Sequence, residues 1–254
     1  MTLNNFLVTE IFTFMLVFCR LGAACMMMPG FGESYISPRV RLLFAIMLTL
    51  VMAPTMKHFP APPATIPALA ILIMAEILIG IFIGTTARLL LSAVSVAGTI
   101  IAFQSSLASA VVPDVTGSGG QSTAVSNLLS ITAMVLLFSL NLHHMLLGAL
   151  HDSYSIFPAG AFPIVADMSE TITKTIGESF NMAVRLSAPH IVLGLVINLA
   201  AGVIGRLMPT FQVFFIMTAP NLLLSFMLLL LAFNSIMLWY MDYFKDGISR
   251  FVGN

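Results

Sequence analysis

The sequence predicts an all-α, multi-helix integral membrane protein. Three observations lead there. First, 59% of the 254 residues are apolar and 8% are charged, against roughly 25% charged in a soluble globular domain. Ten acidic and ten basic side chains cannot cover the surface of a soluble chain of this length. The mean hydropathy of +1.05 belongs to a chain surrounded by lipid or by other apolar chains. Second, the apolar residues fall into seven segments, at about 6–29, 40–56, 66–87, 89–112, 124–150, 181–204 and 210–241. Most reach the roughly 20 residues that span a bilayer as a helix, and 40–56 is marginal. Third, the polar–apolar alternation of a membrane barrel strand is absent. Backbone groups left unpaired in lipid are costly, so helices remain.

Punctuation separates the segments. Pro29-Gly30-Phe31-Gly32 ends the first helix, and Lys57 to Pro63 forms a short, stiff connector. Arg88 divides the third and fourth segments without a Gly or Pro. A single helix over 66–112, about 70 Å long, is therefore open as well. Pro113-Asp114 and then Gly117-Ser118-Gly119-Gly120-Gln121-Ser122 read as a loop. Residues 151–180 are the longest polar stretch, with Asp152, Asp167, Glu170 and Glu178 against Lys174. Pro209 and Pro220 are expected to break the last run. Residues 115–151 and 207–241 hold no Asp, Glu, Lys or Arg.

The side chains exclude several function classes. Zero net charge provides no electrostatic footprint for nucleic acid. Cys19 and Cys25 make no disulfide framework and read as reduced, buried small hydrophobes. No basic residue stands in Met1 to Asn5, so the first segment is expected to be retained. His144 and His151 share a face if one helix carries both, but His143 points elsewhere and no carboxylate stands at a zinc-protease spacing. They read as polar helix-end groups, and no metal or cofactor is expected. Gly117-Ser118-Gly119-Gly120 lacks the lysine of a phosphate-binding loop, and Ser105, Ser106 and Ser109 have no paired base and read as small packing residues. No catalytic group emerges. The 18 methionines read as core filling, with Met26-Met27-Met28 open to a role lining a conduit.

Ionisable residues within apolar runs are expensive in a membrane and mark partners or pathways. Here they are Arg20, Glu76, Arg88, Arg185 and Arg206. Glu76 lies mid-segment and reads as one half of a buried ion pair, with Arg20 or Arg88 as the other half. A proton-coupled role is the sharper alternative. Glu76, Gly80 and Gly84 stand four apart on one helix face, where Gly-x-x-x-Gly permits close approach of another helix.

In order and spacing, the chain resembles the FliR family, membrane proteins of the flagellar type III export gate whose injectisome relatives are the SctT proteins. The resemblance covers about residues 15–235. It rests on Arg20-Leu21-Gly22-Ala23, Pro29-Gly30-Phe31-Gly32, Pro38-Arg39-Val40-Arg41-Leu42 and Ala53-Pro54. It continues through Glu76 to Gly84, Ala97-Gly98, Gln104, His143-His144, Ser153 and Pro158-Ala159-Gly160. It closes with Gly205-Arg206-Leu207-Met208-Pro209, Gln212-Val213-Phe214 and Ala219-Pro220. Three departures stand out: Pro113-Asp114 where the family often has Asp-Pro, Leu142 where a Gly commonly precedes the first His, and Pro209-Thr210 with Gln212 displaced.

The resemblance implies a structural subunit, not an enzyme, of an export gate at the flagellar basal body in the bacterial inner membrane. One such chain would join FliP-like and FliQ-like subunits, alongside FlhB- and FlhA-like proteins and membrane lipid, around a closed entry conduit for unfolded substrates. Residues 1–150 would be FliP-like, 151–180 a polar connecting segment, and 181–254 a FliQ-like helical hairpin and tail turning near Arg206 to Pro209. The resemblance also places a plug loop near 110–122, over Ala110, Val111, Val112, Pro113, Asp114, Val115, Thr116, Gly117, Ser118, Gly119 and Gly120. Val111 and Val112 would seal it and the glycines would let it swing. Arg20, Glu76, Gly80, Gly84, Arg88 and Arg206 are the expected buried-charge and helix-packing positions. Pro- and Gly-interrupted apolar segments also suit a multi-pass secondary transporter, but no repeated halves and few ion-binding acids accompany them. An intramembrane enzyme lacks a nucleophile–base or metal motif.

Overall fold

Helices account for nearly all regular structure in the computed structural model, which describes residues 3–56, 59–114, 120–208 and 213–252. In chain order these are α1 (Leu3–Met27), α2 (Pro38–Met52), α3 (Ile66–Gln104), α4 (Ala124–Ser139), α5 (Leu142–Ile156), α6 (Val165–Leu207) and α7 (Val213–Ser249). A 3₁₀ turn, Ala53–Thr55, extends α2. Between α3 and α4 lie two short strands, β1 (Val111–Pro113) and β2 (Gln121–Thr123). Five helices are long and apolar enough to cross a membrane, six if α4 and α5 together form one bent span.

The third and fourth apolar segments are one helix, α3, which runs unbroken past Arg88. It stops at Gln104 because Ser106 adopts φ 62°. Leu107 then donates its backbone N–H to the Ala102 carbonyl at 2.9 Å, the long bond of a left-handed helix cap. The segment 124–150 is not one helix. Asn141 takes φ 58°, a conformation its short amide side chain tolerates, and α4 ends before it while α5 begins after it. The stretch 151–180 is helical except over 157–164. Pro220 does not break the last run, since α7 continues through it as α6 continues through Pro189. The next residue, Asn221, donates to the Gln104 carbonyl at 2.9 Å and to Ser106 Oγ at 3.1 Å. That anchors α7 where proline removes a bond from its ladder. Pro209 lies outside the described residues.

The chain divides into two compact units, each discontinuous in sequence. One comprises Met1–Leu90, Leu140–Ile176 and Lys245–Asn254, the other Leu91–Ser139 and Gly177–Phe244. The first unit packs α1 on α3, with Leu16, Leu21, Ala24, Ile79 and Ile83 fully or almost fully buried. Gly80 and Gly84 make this contact possible. A Cβ on Gly80 would collide with the Arg20 carbonyl, and one on Gly84 would sit 2.7 Å from the Ala24 carbonyl and from Met27 Cβ. In the second unit α3 packs on α4 by the same device. Gly98 lies against the Ser126 backbone, and Ser126 Oγ donates to the Ser95 carbonyl at 2.8 Å. Ala97, Ile101, Leu129, Ala133 and Leu137 fill that core.

Substituting Gly84→Ala should lower the thermal midpoint of the detergent-extracted protein, by the equivalent of about 1–3 kcal/mol for an overfilled contact. Gly177→Ala, on an α6 surface where an added Cβ meets nothing within 4 Å, should leave the midpoint unchanged or raise it slightly. Equal midpoints for both variants would show that α1 and α3 are less closely apposed.

Candidate functional site

Two groups of residues stand out, one in each unit. The first centres on Arg20, which is completely buried in the C-terminal third of α1. Its Nε donates to Glu76 Oε2 at 2.6 Å, its Nη1 to Ser153 Oγ at 3.2 Å and its Nη2 to the Phe157 carbonyl at 3.0 Å. The Tyr154 ring lies 3.7 Å from the guanidinium carbon, within cation–π range. Ser153 gives its own proton to the Leu150 carbonyl at 2.7 Å, which leaves its lone pairs to Arg20. Glu76 Oε1 accepts from the Gly160 N–H at 3.4 Å. Gly160 has φ +84°, and a Cβ there would press on Pro60. One ion pair thus fastens α1, α3, α5 and the 157–160 turn.

This settles which arginine pairs with Glu76. Arg88 stands twelve residues further along the same unbroken helix, about 18 Å away along its axis, and is half-buried. Arg20 was within the expected pair, while Tyr154 went unremarked. The expectation for Arg206 does not hold within this chain. Arg206 is exposed in the last turn of α6, where the helix has passed its packed length and its terminal carbonyls favour a cation. Cys25 is buried and Cys19 half-buried, both as free thiols. His144 and His151 do share α5, but His151 pairs with Asp152 at 3.0 Å. Among the described residues no group of three or more His, Cys, Asp or Glu side chains could hold a metal ion.

The second group surrounds the expected plug loop. Val111, Val112 and Pro113 pair antiparallel with Thr123, Ser122 and Gln121, so the loop is the tip of a small hairpin. The Ala124 N–H donates to the Ala110 carbonyl at 2.8 Å, and the Asp114 N–H to the Gly120 carbonyl at 3.0 Å. Pro113, opposite Gln121, stands one residue before that last bond, at the strand end where a missing N–H is tolerated. Its carbonyl accepts from Asn127 Nδ2 at 2.8 Å, and Thr123 Oγ1 accepts from the Ser126 N–H at 3.2 Å, capping α4. Asn127 was not singled out from sequence, although an amide within the charge-free run 115–151 is a signal of its kind. Val111 is exposed and Val112 half-buried. Val115, Thr116, Gly117, Ser118 and Gly119 lie outside the described residues.

Residues 11–247 match the family described as bacterial export proteins, family 1. The chain is 37% identical to the flagellar biosynthetic protein FliR of Caulobacter vibrioides, over 95% of this chain and 96% of that protein. The chain belongs to the FliR family. Its similarity to the FliR proteins of Pectobacterium carotovorum and Bacillus subtilis is 31% and 28% identity, over 84% and 88% of this chain and 82% and 86% of theirs. As a FliR-family chain it is a bacterial export protein with several apolar helices of membrane-spanning length.

Glu76→Gln should sharply reduce the folded yield of this FliR-family chain, since removing one partner of a buried pair typically costs about 3–5 kcal/mol. The double substitution Arg20→Met with Glu76→Leu should recover much of that yield, because no uncompensated charge remains. Quantitative immunoblotting of membrane fractions reads both. A double variant no better than Glu76→Gln would assign Arg20 a role beyond this pairing.

Proposed function

We propose that this chain is a structural subunit of the flagellar protein export gate. It forms, with FliP-like and FliQ-like subunits, the closed entry conduit for unfolded export substrates in the bacterial inner membrane, next to FlhA- and FlhB-like proteins. The observation that carries this reading is the match to flagellar FliR proteins over nearly the whole of both chains. The physical make-up supports it. At 39 residues, α3 is about 58 Å long, and even a tilt of about 40° leaves it about 45 Å tall, against about 30 Å of hydrocarbon. An apolar helix that overshoots the bilayer calls for protein cover. On α6, Val192, Leu195, Val196, Leu199 and Val203 are all exposed, and their spacing places them on one face. Such a face suits lipid or a neighbouring helix.

In this reading the hairpin of β1 and β2 carries the closure. Its base is held by the Ala110–Ala124 bond and by Asn127, and its tip holds three of the chain's glycines within 117–120. The segments 1–150 and 181–254 are the parts that would resemble FliP and FliQ. That likeness to other chains is a different partition from the two compact units.

Co-expressed with its FliP-like and FliQ-like neighbours and extracted in mild detergent, the chain should appear by native mass spectrometry as one copy among several of each. Expressed alone, it should aggregate or be degraded. A stable, monodisperse monomer or a symmetric homo-oligomer would overturn the reading and favour a transporter. Deleting 112–119 should make membranes leaky to small ions while the complex still assembles. Unchanged leakage and unchanged export would reduce the loop to a turn.

A further inference from the structure

His190 lies inside the second unit, 1% exposed, on the face of α6 that meets α7. Its Nε2 is 3.3 Å from the Ser225 carbonyl of α7. A carbonyl only accepts, so Nε2 carries the ring proton. Nδ1 is then a bare lone pair, shielded from solvent and without a hydrogen-bond partner among the described residues. We propose that His190 is a proton-operated latch. The neutral ring holds α6 to α7, and a second proton, on Nδ1, releases the stretch of α7 that anchors the end of α3.

The seam is built for the neutral ring. A proton on Nδ1 would make a cation with a further N–H to place, both cut off from water. A buried charge is tolerated when it is paired, and the second unit holds no carboxylate nearby on either helix. Its charged residues are Asp114, Glu178, Arg185, Arg206 and Asp242. Along α6, Glu178 is twelve residues from His190, about 18 Å, and Arg206 is sixteen, about 24 Å. On α7, Asp242 is seventeen residues past Ser225, about 26 Å. Arg185, five residues before His190, is exposed on another face of α6 and has the wrong sign. The stretches 91–113 and 115–139 carry no charged side chain, and Asp114 stands at the hairpin end. Tyr240 and Tyr243 are about four turns or more from Ser225 along α7. The polar neighbours are neutral: Ser187 gives its proton to the Ala183 and Val184 carbonyls, and Ser225 and Asn221 bond each other.

What the latch holds follows from the bonds beyond Ser225. Its Oγ donates to Asn221 Oδ1 at 3.3 Å, and Asn221 Nδ2 holds the Gln104 carbonyl and Ser106 Oγ. One turn past His190, Gly194 lies against the Gln104 side chain, where an added Cβ would collide with Oε1. One face of α6 thus covers both the α7 anchor and the end of α3, and β1 begins five residues after Ser106. Pro220 leaves α7 a backbone bond short beside this anchor, so loosening there breaks less of the ladder. An imidazole in water takes up its second proton near pH 6.5. The latch is therefore whole above that pH and loosens as the pH falls below it.

The test uses the chain in its complex, extracted in mild detergent. Hydrogen–deuterium exchange is read by peptide mass spectrometry at about pH 7.5 and about pH 5, either side of the ordinary imidazole value. Wild type is compared with His190→Gln at each pH, which cancels the intrinsic pH dependence of amide exchange. His190→Gln keeps an N–H for the Ser225 carbonyl and takes up no proton. At the lower pH, wild-type peptides over 104–110 and 221–229 should exchange at least about fivefold faster than those of the variant, and at the higher pH equally fast. His190→Phe fills the ring's volume without titrating, so its exchange relative to His190→Gln should be the same at both pH values. It also replaces His190→Gln as the reference if that variant fails to assemble. A purely structural role would speed exchange in the variants alike at both pH values. That outcome, or a wild-type pH response retained in the variants, would overturn the proposal.

Discussion

A guanidinium and a carboxylate removed together from water set the terms for the first unit. Each charge alone would carry a desolvation penalty of several kcal/mol, so Arg20 and Glu76 are tolerable only at contact and with their remaining groups satisfied. That requirement propagates. α1 must lie close enough to α3 for a 2.6 Å bond, so Gly80 and Gly84 must lack side chains. The remaining guanidinium donors require Ser153 and the Phe157 carbonyl to be nearby, which places the end of α5 and the turn after it. The second carboxylate oxygen requires the Gly160 N–H, at a residue whose positive φ and proximity to Pro60 suit glycine. Helices with few charged surfaces have little else to fix their register, since apolar packing alone tolerates sliding.

In the second unit neutral groups recur among the contacts of the described residues: Ser95 with Ser126, Asn221 with Gln104 and Ser106, Ser179 with Tyr243 at 3.0 Å, and the buried His190 with the Ser225 carbonyl at 3.3 Å. Each is weaker than a charge pair, but in an apolar setting each still ties helices together. Asn127 extends the same chemistry to the hairpin base. The division is consistent with a chain in which one part sets geometry and the other carries the segment proposed to move.

Much of this architecture was legible in the sequence, and the failures have physical causes. Helix class follows from the apolar runs, and the close α1–α3 face follows from Glu76, Gly80 and Gly84 at helical spacing. That Glu76 needs an arginine was legible too. Which arginine was not, because Arg20 is 56 residues away and Arg88 is excluded only once α3 is known to be continuous. The break between α4 and α5 depends on one left-handed asparagine flanked by apolar residues on both sides, so no change of composition marks it. Strands of three residues are too short to show a period. Pro220 looked like a break because a proline signals a lost bond but not the Asn221 anchorage that offsets it. Arg206 looked like its buried counterparts because burial depends on what packs alongside, which a single helix does not reveal.

If the hairpin is the closure proposed above, the β1–β2 ladder limits how large an opening it can govern. With the Asp114 N–H bonded to the Gly120 carbonyl, only five residues, 115–119, lie beyond the last bond, about 17 Å of chain at ~3.4 Å each. Doubled back between strands about 4.8 Å apart, a chain of that length can reach no more than about 9 Å past that bond. That is less than the 10–12 Å width of one helix with its side chains. A closure of that reach would stop only a passage sized for a single extended chain, and would be too short to bar the way to a folded domain. Any selection against folded cargo would therefore have to come from the fixed width of the surrounding walls, with the hairpin acting only against water and ions.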